Sequence, residues 1–167
     1  MAATLMDATG VHRTVIRLSH EIGERNKGYS DVVLVGAHKN GLIIAKRIQS
    51  YIRDTEGYDL PCALIEEDRE KGLGFSIDDK VVVLCDDILY TGRSVVKSVE
   101  ALFALGNPKR IQLLVLVDRG GRQLPVRADF VGKNVPTSKE EFIEVSFEEE
   151  GKSDCFSVIR RSHEERH

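Results

Sequence analysis

Apolar and polar positions along the chain alternate between two rhythms. Val11, Val15, Leu18 and Ile22 recur at the spacing of one helix face, and Gly28 offers a stop, so the pattern predicts a helix over 11–27. DVVLVG (31–36) is a short continuous apolar run of the kind a buried strand carries. From Gly41 the helical spacing returns, with Leu42, Ala45, Ile48 and Ile52 on one face and Gly57 as its stop. PCALIE (61–66) and KVVVLC (80–85) read as strands, and the polar, glycine-containing EDREKGLGFSIDD (67–79) between them reads as a loop. A third helix is predicted over 94–105, ended by Gly106 and Pro108, and RIQLLVLV (110–117) is the next strand.

Strands that alternate with helices predict an α/β fold: a mostly parallel twisted sheet with helices on both faces. The near-continuous apolar strands agree, because central parallel strands are covered on both sides. After Asp118 the rhythm changes. ADFVG (128–132), EFIEVSF (141–147) and CFSVIRR (155–161) read as short strands with no long helix between them, predicting extra or antiparallel strands in the sheet. No repeat or low-complexity linker interrupts the chain, so one domain is expected over 1–167, with 162–167 a frayed tail.

Composition narrows the picture. The 167 residues suit one domain with a sizeable core, and 41% apolar with 31% charged residues is an ordinary globular balance. No apolar run approaches the ~20 residues of a membrane span. MAATLMDATGVHR lacks a basic start followed by an apolar stretch, so no secretory signal is expected. Cys62, Cys85 and Cys155 fit neither a zinc spacing nor a disulfide framework, and a reducing cytoplasm is the expected home. A net charge of −3 argues against nucleic-acid binding through the overall field but leaves room for a local basic face. Arg13, Arg17, Arg25 and Lys27 crowd the first helix, while Lys109, Arg110, Arg119, Arg122, Arg127 and Lys133 populate the later middle. Glu148, Glu149 and Glu150 form an acidic cluster, and solvated surface is the plain reading of any one of these charges.

The chemistry concentrates in VVVLCDDILYTGRSV (81–95). Ligands of open α/β sheets bind at the carboxyl ends of strands, where Asp86 and Asp87 are expected. Side chains alternate along a strand, so the two carboxylates are expected to point apart rather than share a proton. Such a pair suits a ligand with adjacent hydroxyls or a nearby Mg²⁺. The turn Tyr90-Thr91-Gly92-Arg93-Ser94 then enters a helix whose first amides form an anion site, with Gly92 permitting close approach and the two hydroxyls able to donate. Sugar hydroxyls and a phosphate a few ångströms apart amount to a sugar phosphate.

That stretch resembles the phosphoribosyl pyrophosphate (PRPP) signature of type I phosphoribosyltransferases. LLVLVDRGGRQLPVRADFVGKNVPTS (113–138) and RLSHEIGERNKG (17–28) are similar to one branch, the PyrR family of pyrimidine-operon attenuation regulators that are also uracil phosphoribosyltransferases. The likeness covers most of the chain and weakens over 58–79 and after about Val145. It implies the type I phosphoribosyltransferase fold and PRPP, uracil and UMP as ligands. Asp86 and Asp87 would meet the ribose hydroxyls, and Leu89, Tyr90, Thr91, Gly92, Arg93 and Ser94 would form the loop around the 5′-phosphate. His38, Lys39, Asn40 and Gly41 would form the pyrophosphate loop, which in the family often carries a strained cis peptide. Asp118, Arg119 and Gly120 would lie on the base side, facing uracil mostly through backbone. Mg²⁺ would come with PRPP rather than in a protein cage. The regulatory half implies a pyrimidine-leader mRNA hairpin as partner, met by Arg17, His20, Arg25, Arg127 and Lys133, and a homodimer or higher homo-oligomer.

The chain departs from the family pattern in places. A longer insertion with a tyrosine–arginine–aspartate run and a mobile flap is usual where only 63–79 stands here, with Asp68 and Arg69 as its echo. His38-Lys39-Asn40-Gly41 replaces Lys-Thr-Arg-Gly, Ile16 replaces a common threonine, and Gly121 replaces the histidine of DRGHR. These departures predict ligand binding ahead of fast turnover, and leave a regulator without catalysis and a purine-type phosphoribosyltransferase as the other readings.

Overall fold

A computed structural model describes residues 2–66 and 71–160. The elements run β1 (Ala2–Met6), α1 (Ala8–Arg25), β2 (Val32–Gly36), α2 (Lys39–Glu56), β3 (Cys62–Leu64), β4 (Val81–Leu89), α3 (Arg93–Leu105), β5 (Arg110–Asp118), β6 (Phe130–Asn134) and β7 (Glu141–Ser146); a short 3₁₀ turn (Glu148–Glu150) and β8 (Cys155–Arg160) follow. The expectations for 162–167 and for Asp68 and Arg69 fall outside the described residues.

The main sheet is parallel throughout, in the order β3-β2-β4-β5-β6. Its faces are sorted by the pleat of β4. Val81, Val83 and Cys85 pack with α1 and α2, while Val82 and Leu84 pack with Val95 and Leu102 of α3. Every residue from Val81 to Cys85 is buried, which is why this run carries no polar alternation. The helices start and stop on local chemistry. Asp7 accepts the Gly10 amide at 2.8 Å to cap α1. Gly57, at φ 74°, ends α2 in the left-handed turn that its sequence position predicted.

The C-terminal strands differ from expectation. Only β6 joins the main sheet. β7 and β8 pair with each other and, through β8, with β1, making a separate antiparallel sheet β1-β8-β7. β1 was not predicted, because AATLM neither alternates nor stands near its partner in sequence. Ala2 pairs with Ile159. This small sheet is held by its apolar face, with Met6, Ile143, Phe147 and Phe156 in the α1–α2 core and the two phenylalanine rings edge to face at 5.9 Å. Arg47 of α2 adds a tie. Its guanidinium bonds Asp154 at 2.6 and 2.8 Å and both oxygens of Glu149, and stands 5.0 Å over the Phe147 ring. Part of the acidic cluster is therefore bound rather than merely solvated, with Glu150 also 3.2 Å from Lys39.

Candidate active site at the switch point of the sheet

Between β2 and β4 the connections diverge. β2 leads through α2 to β3 on one side, and β4 leads through α3 to β5 on the other. Such a divergence opens a crevice at the carboxyl ends of the strands. The opening has an identifiable edge. β2 pairs with β4 only as far as Gly36 opposite Cys85, and the Ala37 amide takes the Cys85 carbonyl at 2.9 Å. β4 itself runs on to Leu89, held only by β5. The two acids thus lie inside the strand rather than beyond its end, on the stretch where one flank has been vacated.

Asp87 reaches across that flank, its Oδ2 accepting a hydrogen bond from the Asn40 side-chain Nδ2, in the first turn of α2, at 2.9 Å. Asp86 turns back on the chain, and its Oδ1 accepts the Asp87 N–H at 2.8 Å. The two carboxyl groups bond to different partners, as alternation predicts, but they still interact through charge. Asp86 is only 4% exposed, and burial, with the neighbouring Asp87 charge and a side-chain bond to it, raises its pKa to about 8.

The pyrophosphate-loop residues are the start of α2. His38 is its N-cap and makes no side-chain cap bond, so the first amides of the helix are left for another acceptor. Gly41 sits on β4, where an added Cβ would stand 2.2 Å from the Cys85 carbonyl oxygen. No cis peptide occurs among the described residues, this loop included.

On the other side of the crevice, Gly92 takes φ 92° as the N-cap of α3 and again offers no side-chain cap. The Thr91 hydroxyl accepts the Arg93 N–H at 3.3 Å, and Arg93 Nε donates to Gln123 at 2.8 Å. Leu89 is a core residue, fully enclosed on the α3 face, and only its backbone takes part, its carbonyl accepting the Arg119 N–H at 3.0 Å. Asp118 accepts the Gly120 N–H at 3.0 Å and pairs with Arg122. Arg119 is buried, its guanidinium 3.9 Å over the Tyr90 ring.

Arg122 and Gln123 were missed as site residues. Arg122 donates to the Tyr90 and Val126 carbonyls at 2.7 and 2.8 Å, and Thr91 O accepts the Gln123 N–H at 2.9 Å, lashing the base-side loop to the phosphate turn. Their sequence signal was the GRQLP run itself, which begins three residues on from Asp118. Within the described part of the connection before β4, Leu73, Phe75 and Ile77 pack against the α3-side core.

The basic residues divide. Arg17 donates to the Val131 and Gly132 carbonyls, Arg25 pairs with Asp129 at 3.3 Å, and Lys133 donates to Leu5 O, all along the α1–β6 edge. His20 faces α2 and bonds the Tyr51 hydroxyl at 2.9 Å. Arg127 is exposed in the connection entering β6 and lines a groove with Val99 and Phe103 of α3.

The phosphoribosyl transferase domain model matches residues 2–150. The chain belongs to the phosphoribosyltransferase family, in its PyrR branch. It is 47% identical over 171 residues to the bifunctional protein PyrR of Clostridioides difficile, covering 93% of this chain and 97% of that one. It is 44% identical over 162 residues to the bifunctional protein PyrR of Thermus aquaticus, covering 88% and 90%. Among solved structures it resembles the HGPRT-ase of Leishmania tarentolae in complex with GMP, at TM-score 0.76 and 18% identity, covering 96% of this chain and 98% of that one. The hypoxanthine phosphoribosyltransferase of Trypanosoma cruzi superposes at TM-score 0.74 and 17% identity, covering 95% and 97%. At such identities these likenesses concern the fold, and the type I phosphoribosyltransferase architecture is the one described above. They carry no statement about the base.

Proposed function

We propose that this PyrR-family protein joins uracil to PRPP, giving UMP and pyrophosphate, and acts as a pyrimidine-responsive attenuation regulator that binds a leader mRNA hairpin. The observation that carries the first half is the Asn40–Asp87 bond at 2.9 Å, which joins the start of α2 to the acids of β4 across the switch point. Two uncapped helix starts, at His38 and Gly92, flank a carboxylate pair. Two anion sites around a diol-binding pair match PRPP, which has a phosphate at one end and a pyrophosphate at the other.

In this reading Asp86 and Asp87 hold the ribose hydroxyls. The amides at 92–95, with Thr91 and Ser94, hold the 5′-phosphate, and the first turn of α2 with Lys39 faces the pyrophosphate. Backbone groups of 118–120 orient the uracil so that its ring nitrogen faces the anomeric carbon as pyrophosphate departs. The donor set suits Mg²⁺ brought by the substrate. Among the described residues no three His, Cys, Asp or Glu side chains gather as a cage, and the Asp86–Asp87 pair, one acid of which gives up its proton as a cation arrives, suits an ion that keeps phosphate and water ligands. When bound, that ion supplies charge neutralisation to the leaving pyrophosphate. Leu73, Phe75 and Ile77 pack against the core, which favours limited reach of this connection over the crevice, and turnover is expected to be slow relative to affinity.

The regulatory half draws on the α1–β6 edge, where Arg17, Arg25 and Lys133 line up, with His20 against α2 and Arg127 in the α3 groove as separate contributors. A symmetric homo-oligomer would repeat that edge and widen its reach on RNA. The cytoplasm, where PRPP and nascent mRNA meet, is its proposed place; no described helix is long and apolar enough to cross a membrane.

A titration of PRPP and UMP in Mg²⁺, paired with a UMP-forming assay on the same sample, tests the enzyme. Binding of both with UMP formation is the expected result. Binding without product leaves the regulator alone, and displacement of bound ligand by guanine in preference to uracil moves the reading to the purine class. Salt-sensitive, UMP-enhanced binding to a pyrimidine-leader hairpin is expected of the regulator, and no binding at low salt removes it.

A further inference from the structure

The base-side loop draws its stiffness from the groups around its glycines, and Asp118 Oδ1 and Arg122 already hold the Gly120 N–H and carbonyl at 3.0 and 3.4 Å. Gly120 and Gly121 follow one another at φ 73° and 75°, in the left-handed region that only glycine enters freely, and such a pair is flexible when nothing restrains it. Recognition of a small planar base through backbone groups requires that backbone to be fixed. Arg119 precedes the two glycines and is 7% exposed. Its Nε donates to Thr137 Oγ1 at 2.7 Å, and its Nη2 donates to the Ser138 and Glu141 carbonyls at 3.2 and 2.6 Å. The face of the same guanidinium lies 3.9 Å over the Tyr90 ring, at the entry to the phosphate turn.

One side chain therefore ties three segments together: the base-side loop, the phosphate turn, and the link from β6 into the second sheet. Backbone bonds run alongside, from Thr137 N to Arg119 O at 3.1 Å and from Val135 N to Asp118 O at 2.8 Å. Gly121 completes the arrangement. An added Cβ there would meet Tyr90 Cε2 at 2.3 Å, so the absence of a side chain lets the ring lie under the guanidinium.

We propose that Arg119 is a positioning residue for the pyrimidine base, acting without touching the ligand by pinning the Gly120–Gly121 backbone to the Thr137–Glu141 segment and to Tyr90. This rests on the reading of the crevice as a UMP and PRPP site. It predicts selectivity between ligands. A ligand with a base depends on Arg119, and a ligand that ends at the sugar does not. Lysine keeps the charge but has neither the planar fork for separate acceptors nor the flat face for the ring.

The test is calorimetric titration of UMP and of ribose 5-phosphate into the wild-type protein, Arg119→Lys and Thr137→Ala. The wild type is expected to bind both. Arg119→Lys is expected to weaken UMP at least tenfold while ribose 5-phosphate stays within twofold. Thr137→Ala, which removes one acceptor and keeps the fold, is expected to shift the same ratio by two- to fivefold. Equal weakening of both ligands, or no change in either, in the folded variants overturns the proposal while leaving the site reading in place. A wild type that binds ribose 5-phosphate but not UMP overturns the base site, and one that binds neither overturns the crevice reading with it.

Discussion

Asp86→Asn should make the protein more stable at neutral pH while removing its grip on PRPP. The carboxyl is 4% exposed, and burial with the adjacent Asp87 charge raises its pKa from 3.8 to about 8. Between those values the folded protein holds a proton that the unfolded chain releases. The unfolded state then binds fewer protons, and stability falls as pH rises, by about 1.4 kcal/mol per unit until the folded pKa is reached. At pH 7 this amounts to an upper figure of about 4 kcal/mol carried by one side chain. Relaxation and residual structure in the unfolded chain reduce it, and a gain of about 1–3 kcal/mol is the working expectation for the amide. Asparagine keeps the Oδ1 that accepts the Asp87 N–H. Each kcal/mol corresponds to about 2–4 °C in Tm for a chain of this size. The assay is urea or thermal unfolding of both proteins from pH 4.5 to 8, beside PRPP titration in Mg²⁺. The stability gap should widen with pH and shrink to under about 1 kcal/mol at pH 4.5. A variant less stable than wild type at pH 7.5, or a gap that does not change with pH, refutes the argument that this acid is strained by its site.

Gly41→Ala places a Cβ 2.2 Å from the Cys85 carbonyl oxygen, a backbone atom that cannot swing aside; a loss of about 1–3 kcal/mol in urea unfolding, with PRPP binding lost, is expected. Gly121→His puts a side chain at a position with φ 75° whose Cβ would meet the Tyr90 ring. Its expected cost is roughly 1–2 kcal/mol, with altered tyrosine near-ultraviolet dichroism, and an unchanged melt and spectrum would contradict it. Arg47→Ala leaves Asp154, 9% exposed, and Glu149 without their cation, so a loss of about 2 kcal/mol or more is expected at pH 7. Arg47 holds the pKa of both acids down; that contribution is present above the ordinary carboxylate range and fades as pH falls through the lowered values, so wild type and variant should converge in acid melts. Arg127→Ala, which removes an exposed cation, should weaken hairpin binding and reduce the slope of log affinity against log salt by about 1.

What could be read from the sequence divides along the range of the interactions. The helices α1, α2 and α3 and the strands β2, β4 and β5 were set by periodicities of a few residues, and their bounds moved by little, as when β4 ran on from Cys85 to Leu89. That extension was hidden because two carboxylates look like the end of a buried strand, whereas only one flank of β4 is vacated there. β1 was hidden for a different reason. Its pairing with β8 joins the two ends of the chain, and five residues of weak pattern do not announce a partner so distant. The same distance misplaced β7 and β8, whose strand character was evident but whose sheet was not.

The site was readable as composition but not as wiring. The residues of 86–94 and 118–120 do meet at one end of the sheet, and their order in the chain allowed that much. Which of them face a ligand and which hold the others in place depends on contacts among residues far apart in sequence. Leu89 and Arg119 looked like members of a binding loop, and both are enclosed, one in the core and one among carbonyls. Arg119 is the more instructive of the two, because an arginine beside two glycines in a phosphate-binding family suggests a hand for the ligand. Its three acceptors and the Tyr90 ring lie within the protein and occupy both its edge and its face. A guanidinium so fully engaged has little left to offer a substrate, and its effect on the base passes through the glycine backbone that it holds still.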